Sequence, residues 1–446
     1  MPPALEGLAG TVKDLAKRVS FRFLSWLAED RVVITCVIIL SFTIALLLRM
    51  GPIKWGVYLN EFDPFYEYYL AMKVLEKGEG DIFRGIVWWF GWWFDRGEKD
   101  TLFWAPSGRD LRASSQPGAA LASACVYSFL RWLGFDVDLY TVHAFVPPVG
   151  AALASIFIYF LGREVHSREV GVLSAFFISV SWPFIFRTNL GAKHEGLAIP
   201  FMILAFYLFM RAYRRGSLAL GACAGLAMGL VVLSWGAYLY PWNLLALTAL
   251  IWLAMHPDDH SLARTFLVTN LIAQVFIAVT PRFGPMVAFC SASAALPMAA
   301  NVASLLVLLG RLSPIVRWPS FKVALLGLGA AVAVGLVVLS VTGLAPALPR
   351  RVVAVVLPII RETGVTTVQE HAVPAWSSLY DDYHTLMLFS FFAAMLLFRR
   401  SDLASKFLFI LWLTSLYAAT SMARLTLLYA PAVAVVGSIG AVELTS

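Results

Sequence analysis

Three short stretches place carboxylates and imidazoles in a chain that is otherwise poor in them. The first is GVYLNEFDPFYEYYLAMKVLEKG, residues 56–78, in which Asp63 stands beside a proline and among aromatics. The second is RTNLGAKHEGLAIP, residues 187–200, which carries Lys193, His194 and Glu195. The third is TTVQEHAVPAW, residues 366–376, with Glu370 and His371. Carboxylates and imidazoles are ordinary ligands of Mg²⁺ or Mn²⁺, and hard divalent cations prefer oxygen. If the fold brings these stretches to one side, Asp63, Glu195 and Glu370 can share one cation, with His194 as a further ligand. Each group also has a plainer explanation. An aspartate before proline is commonly a turn or helix cap. Glu195 suits a helix N-terminus, where the dipole favours an anion. His194 fits an ordinary surface histidine, and Glu370 a solvated loop acid. Spacing alone leaves both explanations open.

What must position these groups is a membrane. The 446 residues are 60% hydrophobic, with a mean hydropathy of +0.77, against the 45–50% apolar content of soluble domains. The net charge of +7 is distributed as short basic clusters between apolar runs. That distribution fits topology signals at a membrane surface and argues against nucleic acid as a partner. Cys36, Cys125, Cys223 and Cys290 lie in apolar stretches without metal-ligand or disulfide spacing.

A span needs about 20 apolar residues. Candidates are 32–50, 140–162, 168–187, 197–213, 217–235, 238–255, 264–280, 285–310, 323–342, 383–398, 405–421 and 424–442. Residues 118–134 are apolar but short. Leaving them out puts the basic N-terminus and the clusters at Arg163/Arg168, Arg211/Arg214/Arg215, Arg311/Arg317 and Arg399/Arg400/Lys406 on the cytoplasmic side. Counting them in would reverse every later cluster. The expectation is therefore an all-α multi-pass protein of the cell membrane with about twelve spans and two long external loops. Its parts are a cytoplasmic basic N-terminus (1–31), a retained first helix (32–50), an external loop (51–139) and a bundle (140–342) with a short external turn at 188–196. A second external loop (343–382) and the last helices (383–446) follow. All three acidic stretches then fall on the external face.

Together the stretches resemble the catalytic subunit of oligosaccharyltransferase, in particular its archaeal form. EFDPF matches the aspartate motif of that family's first external loop, and FWAPSGRDLRASSQPGAAL is similar to the run that follows it. Lys193-His194-Glu195-Gly196 falls on the family's second acidic motif, and Thr367-Val368-Gln369-Glu370 on its external-loop motif. SWGAYLYPWNLL, containing Tyr238, and MARLTLLYAPAVAV, containing Arg424, resemble two of its helix starts. The likeness runs from about residue 30 to 442, in order, and implies a membrane fold of the GT-C type.

The resemblance implies transfer of an oligosaccharide from a polyprenyl (dolichyl) phosphate or diphosphate to the asparagine amide of Asn-X-Ser/Thr. The partners would be lipid-linked oligosaccharide, acceptor polypeptide and membrane lipids. Asp63 and Glu370 would accept hydrogen bonds from the amide. Asp63, Glu195 and Glu370, with His194, would hold Mn²⁺ or Mg²⁺. Arg424 would contact the acceptor peptide, although a snorkelling arginine fits the same position. Lys193, Tyr238 and His371 would contact the lipid diphosphate, Tyr238 being equally an interfacial tyrosine. The tryptophans from Trp88 to Trp93 suit interfacial anchoring, with sugar stacking as the other option.

Two departures stand out. Lys193 occupies a position where the family has an acid, and the family's C-terminal soluble domain has no counterpart here, so that domain is expected on a missing or separate segment. The alternative function is a glycosyltransferase that uses a polyprenyl-phosphate sugar and a lipid or glycan acceptor. A secondary transporter, with ionisable residues at mid-membrane, fits less well because the acids lie outside the spans.

Overall fold

A computed structural model describes residues 30–97, 99–311, 319–324, 326–327 and 369–445. The basic N-terminus, most of span 323–342, Arg317, and Thr367 and Val368 of the third acidic motif lie outside the described residues. Among those described, the regular elements are helices, apart from one isolated bridge between Asp100 and Arg109. Helices are what an apolar chain in lipid must form, because only they satisfy every backbone N–H and C=O within the segment.

Helix α1 spans Asp30–Met50, α2 Phe62–Lys77, α3 Ile82–Phe90 and α4 Gly118–Trp132. The bundle continues with α5 Leu139–Val165, α6 Arg168–Val180, α7 Trp182–Arg187, α8 Glu195–Arg215 and α9 Leu218–Ser234. Next come α10 Leu239–Met255, α11 His260–Val279 and α12 Ala295–Leu308. The last three are α13 Trp376–Arg399, α14 Leu403–Ser421 and α15 Thr426–Thr445. Local chemistry sets the boundaries. Asp138 caps α5 by accepting from the Thr141 N–H. Helix α8 ends on Gly216, whose φ of +61° suits a left-handed cap.

Among the described residues, seven helices are long and apolar enough to cross a membrane. Four other expected spans are helical but shorter or interrupted. Segment 168–187 breaks at Ser181, where Pro183 starts a new turn. Segment 285–310 is divided by a turn at Ser291. Helix α9 has 17 residues, and α13 kinks at His384, whose φ is +49°. Helix α4 has 15 residues, which at 1.5 Å per residue gives about 22 Å, short of a ~30 Å hydrocarbon core.

Helix α5 packs against α1, α6 and α8, while α15 packs against α6, α13 and α14. A separate small core formed by Leu70, Val74, Trp89 and Ala120 joins α2, α3 and α4. Polar groups inside the bundle pair with one another. Asn270 accepts from Trp242 Nε1 (2.6 Å) and donates to Asn301 (2.8 Å), tying α10, α11 and α12 together.

Candidate functional site

The three acidic stretches meet at one end of the bundle, and backbone hydrogen bonds bring them there. The turn before α8 is held between α1, α5 and the segment leading into α2. Leu190 N–H donates to the Arg49 carbonyl (2.9 Å), Gly191 N–H to Ala144 (3.0 Å), and Asn60 N–H back to Gly191 (3.0 Å). The Asn60 amide also donates to Asn189 Oδ1 and the Leu190 carbonyl. Gly191 has φ +74°, and a Cβ there would lie 1.8 Å from the Tyr58 carbonyl, so only glycine permits this approach. Gly196 does the same for Glu195: a Cβ at 196 would lie 2.4 Å from the Pro147 carbonyl. The N-terminus of α8 is therefore pressed directly against α5.

Asp63 lies in the first turn of α2. His143 of α5 fixes that turn: its Nε2–H donates to the Pro64 carbonyl (3.0 Å), which requires Nδ1 to accept from the Ser123 hydroxyl (2.7 Å). On the other side, Ala423 N–H donates to the Ala372 carbonyl (2.9 Å), so the turn carrying Glu370 is tied to the turn carrying Arg424.

Acids and cations alternate through the site. Lys193 Nζ donates to Glu61 Oε2 (2.5 Å) and Asp63 Oδ2 (3.2 Å). Arg187 donates to Glu195 Oε1 (3.1 Å) and to Glu370 Oε2 (2.9 Å). Arg424 Nη1 donates to Glu370 Oε1 (3.2 Å) and lies 3.3 Å from His371 Nε2. His194 Nδ1 donates to Glu67, and its Nε2 lies 3.8 Å from Glu195 Oε2. The Glu195 side chain is fully buried and that of Lys193 only 6% exposed, whereas Asp63 is 57% exposed. The cluster thus has an open face at Asp63 and a closed one at Glu195.

The charges sustain one another. Burial pulls the Lys193 ammonium down, but Glu195, Glu61 and Asp63 outweigh it and hold its pKa above the usual lysine value. Burial likewise opposes the charge on His194, and Glu195 with Glu67 raises its pKa. Burial raises the pKa of Glu67 despite His194. For Glu370, burial is overcome by the Arg187 hydrogen bond and by Arg424, which keep the carboxyl ionised below its ordinary range. Two acceptors remain unpaired inside the cluster, Glu67 Oε2 and Glu195 Oε2.

The structure therefore brings together Asp63, Lys193, His194, Glu195, Glu370, His371 and Arg424. Tyr238 is buried, with its ring against Phe283 (4.9 Å) and Trp242 (6.2 Å). Glu61, Glu67, Arg187 and His143 were not singled out from the sequence. Glu67 was within reach, because it follows Asp63 by four residues and so shares its helix face. Arg187 opens the quoted second stretch, but nothing local says that its guanidinium spans two acids 175 positions apart.

The expected cation shared by Asp63, Glu195 and Glu370 does not fit this arrangement. Among the described residues, no group of three His, Cys, Asp or Glu side chains is placed to hold a metal ion. The reason is that Lys193 and Arg187 already occupy the space between the acids.

Comparison with known proteins follows the same residues. The family model "Oligosaccharyl transferase STT3, N-terminal" matches residues 33–437. The chain is 28% identical over 424 residues to the STT3B subunit of dolichyl-diphosphooligosaccharide–protein glycosyltransferase of Arabidopsis thaliana, covering 90% of this chain and 54% of that protein. It is 26% identical over 407 residues to the stt3 subunit of Schizosaccharomyces pombe, covering 87% and 51%. Among solved structures, it is similar to the oligosaccharyltransferase AglB of Archaeoglobus fulgidus in complex with an inhibitory peptide and a dolichol-phosphate. That match has a TM-score of 0.69 at 18% identity, over 94% of this chain and 51% of that one. The Archaeoglobus fulgidus oligosaccharyltransferase in complex with Zn and sulfate matches with a TM-score of 0.60 at 19% identity, over 92% and 49%. At that identity the likeness is one of fold. The chain spans about half the length of the relatives it matches.

Proposed function

The chain belongs to the STT3 oligosaccharyl transferase family, and from that premise we propose that it transfers an oligosaccharide from a polyprenyl phosphate or diphosphate to the side-chain amide of asparagine in Asn-X-Ser/Thr. One observation carries this reading. Carboxylates from three distant segments, Asp63, Glu195 and Glu370, converge at one end of the bundle beside three fixed cations.

An asparagine amide nitrogen is a weak nucleophile because its lone pair is shared with the carbonyl. Asp63, on the open face, accepts one amide N–H, and Glu370 serves the same purpose from the opposite segment. The nitrogen then bonds to C1 of the first sugar, opposite the leaving oxygen. The bond from C1 to the phosphate oxygen breaks with its electron pair, and one amide proton passes to the Asp63 carboxylate, which is open to solvent. Lys193 and Arg187, fixed before the ligand arrives, offset the charge that grows on the phosphate. Arg424 orients Glu370 and faces the acceptor peptide. No step is routed through a divalent ion, because the donor set does not fit one. The site end is the external face of a multi-pass cell-membrane protein whose N-terminus is cytoplasmic, with 51–139 and 343–382 as its outer loops.

The test is a transfer assay in detergent with a labelled Asn-X-Thr peptide and an archaeal lipid extract as donor. Glycopeptide is expected from the wild type and is lost in Asp63→Ala and Glu370→Ala. Label appearing on lipid or glycan instead of peptide would overturn the acceptor assignment.

A further inference from the structure

Resting on the function proposed above, we infer that Lys193 is a built-in cation: it supplies the positive charge of the site permanently and closes the carboxylate cluster to divalent metals. The ammonium is placed for this and for little else. Its side chain is almost fully enclosed, and Nζ touches two carboxylates, Glu61 just before α2 and Asp63 in its first turn. The backbone around it is fixed: the Lys193 carbonyl accepts from Gly196 N–H, within the turn pinned to α1 and α5. Arg187 performs the parallel task one step deeper, between Glu195 and Glu370. Five carboxylates, Glu61, Asp63, Glu67, Glu195 and Glu370, thus face three permanent cations and His194.

Lysine suits this position because an ammonium is a compact point charge with three donors and no acceptor. It can hold two carboxylates and still offer a proton to a phosphate oxygen, but it cannot ligate a metal while protonated. An acid at 193 would reverse the arrangement. Its carboxylate would join Asp63 and Glu195 in a set of three oxygen donors, the kind of site that hard cations prefer. Residue 193 therefore decides whether the charge of the site is carried by the protein or borrowed from solution.

The experiment is Mn²⁺ binding to the EDTA-washed full chain in detergent, read as loss of the free-ion signal in electron paramagnetic resonance. The wild type is expected to leave the signal unchanged up to millimolar protein-free Mn²⁺ controls, and Lys193→Asp to bind at least tenfold more tightly. Adding Asp63→Asn to Lys193→Asp is expected to abolish that gain. Wild-type binding that disappears in Asp63→Asn would overturn the inference, as would a folded Lys193→Asp protein that gains no affinity. If Lys193→Asp fails to fold, as judged by gel filtration, the wild-type and Asp63→Asn titrations still decide. The readout is independent of transfer, so a chain that glycosylates no peptide would remove the proposed function while leaving the metal result interpretable.

Discussion

Both ends of the helix bundle set acids against basic side chains, yet they do so under different physical terms. At the end away from the site, Glu164 receives Arg211 at 3.1 Å and Arg214 at 3.7 Å, and Glu443 receives Arg400 at 2.6 Å and His166 at 2.9 Å. These groups are partly exposed and lie at helix ends, where ion pairs are weak and screened. At the site end Glu195 is sealed in, Lys193 nearly so, and two carboxylate oxygens are left without a donor. A buried polar atom without a partner costs about 1–3 kcal/mol. Among the described residues the far end has one, His166 Nδ1, and the site end gathers two acceptors in one cluster. The far end anchors loops. The site end holds charge in readiness for a ligand.

Removing one cation from each end would break or sharpen this contrast. Arg187→Ala leaves the buried Glu195 without its closest guanidinium, a loss of about 3–5 kcal/mol of stability. Chemical denaturation in detergent should show the midpoint falling accordingly, and an unchanged midpoint would mean that the cluster is solvated. Asp63→Asn, on the open face, should leave that midpoint in place and lower transfer by about 10²-fold or more. A matching fall in both would make Asp63 a structural acid. Gly196→Ala forces α8 away from α5 and should cost about 1–3 kcal/mol, with the Glu195 environment altered and the far end intact. Arg400→Ala should be the mildest, within about 1 kcal/mol and with unchanged transfer. A larger effect there would erase the distinction between the ends.

The residues gathered at the site were only partly legible beforehand. Asp63, His194, Glu195 and Glu370 stand out because they fall on stretches that resemble the family's acidic motifs. Glu61 and Glu67 sat in the same quoted stretch without being separated from the background. Arg187 and His143 carried no local signal: each acts across more than 75 positions, on Glu370 and on the Pro64 carbonyl respectively. Tyr238, at the start of its helix, is buried with its ring against Phe283 and Trp242, a packing that no local pattern in the sequence announces.

The sequence by itself determined that this is a helical membrane protein, because apolar runs of span length have no other way to satisfy their backbone in lipid. It also determined where the chain interrupts those runs with charge. Which charges pair was decided only by the tertiary structure. The close approach of α5 and α8 at Gly196, the turn at Gly191 and the tie between Ala372 and Ala423 set the distances, and Coulomb energy in a poorly solvated site depends steeply on distance. That is why a lysine that reads as a flaw in an acidic motif becomes, in three dimensions, the group around which the motif is assembled.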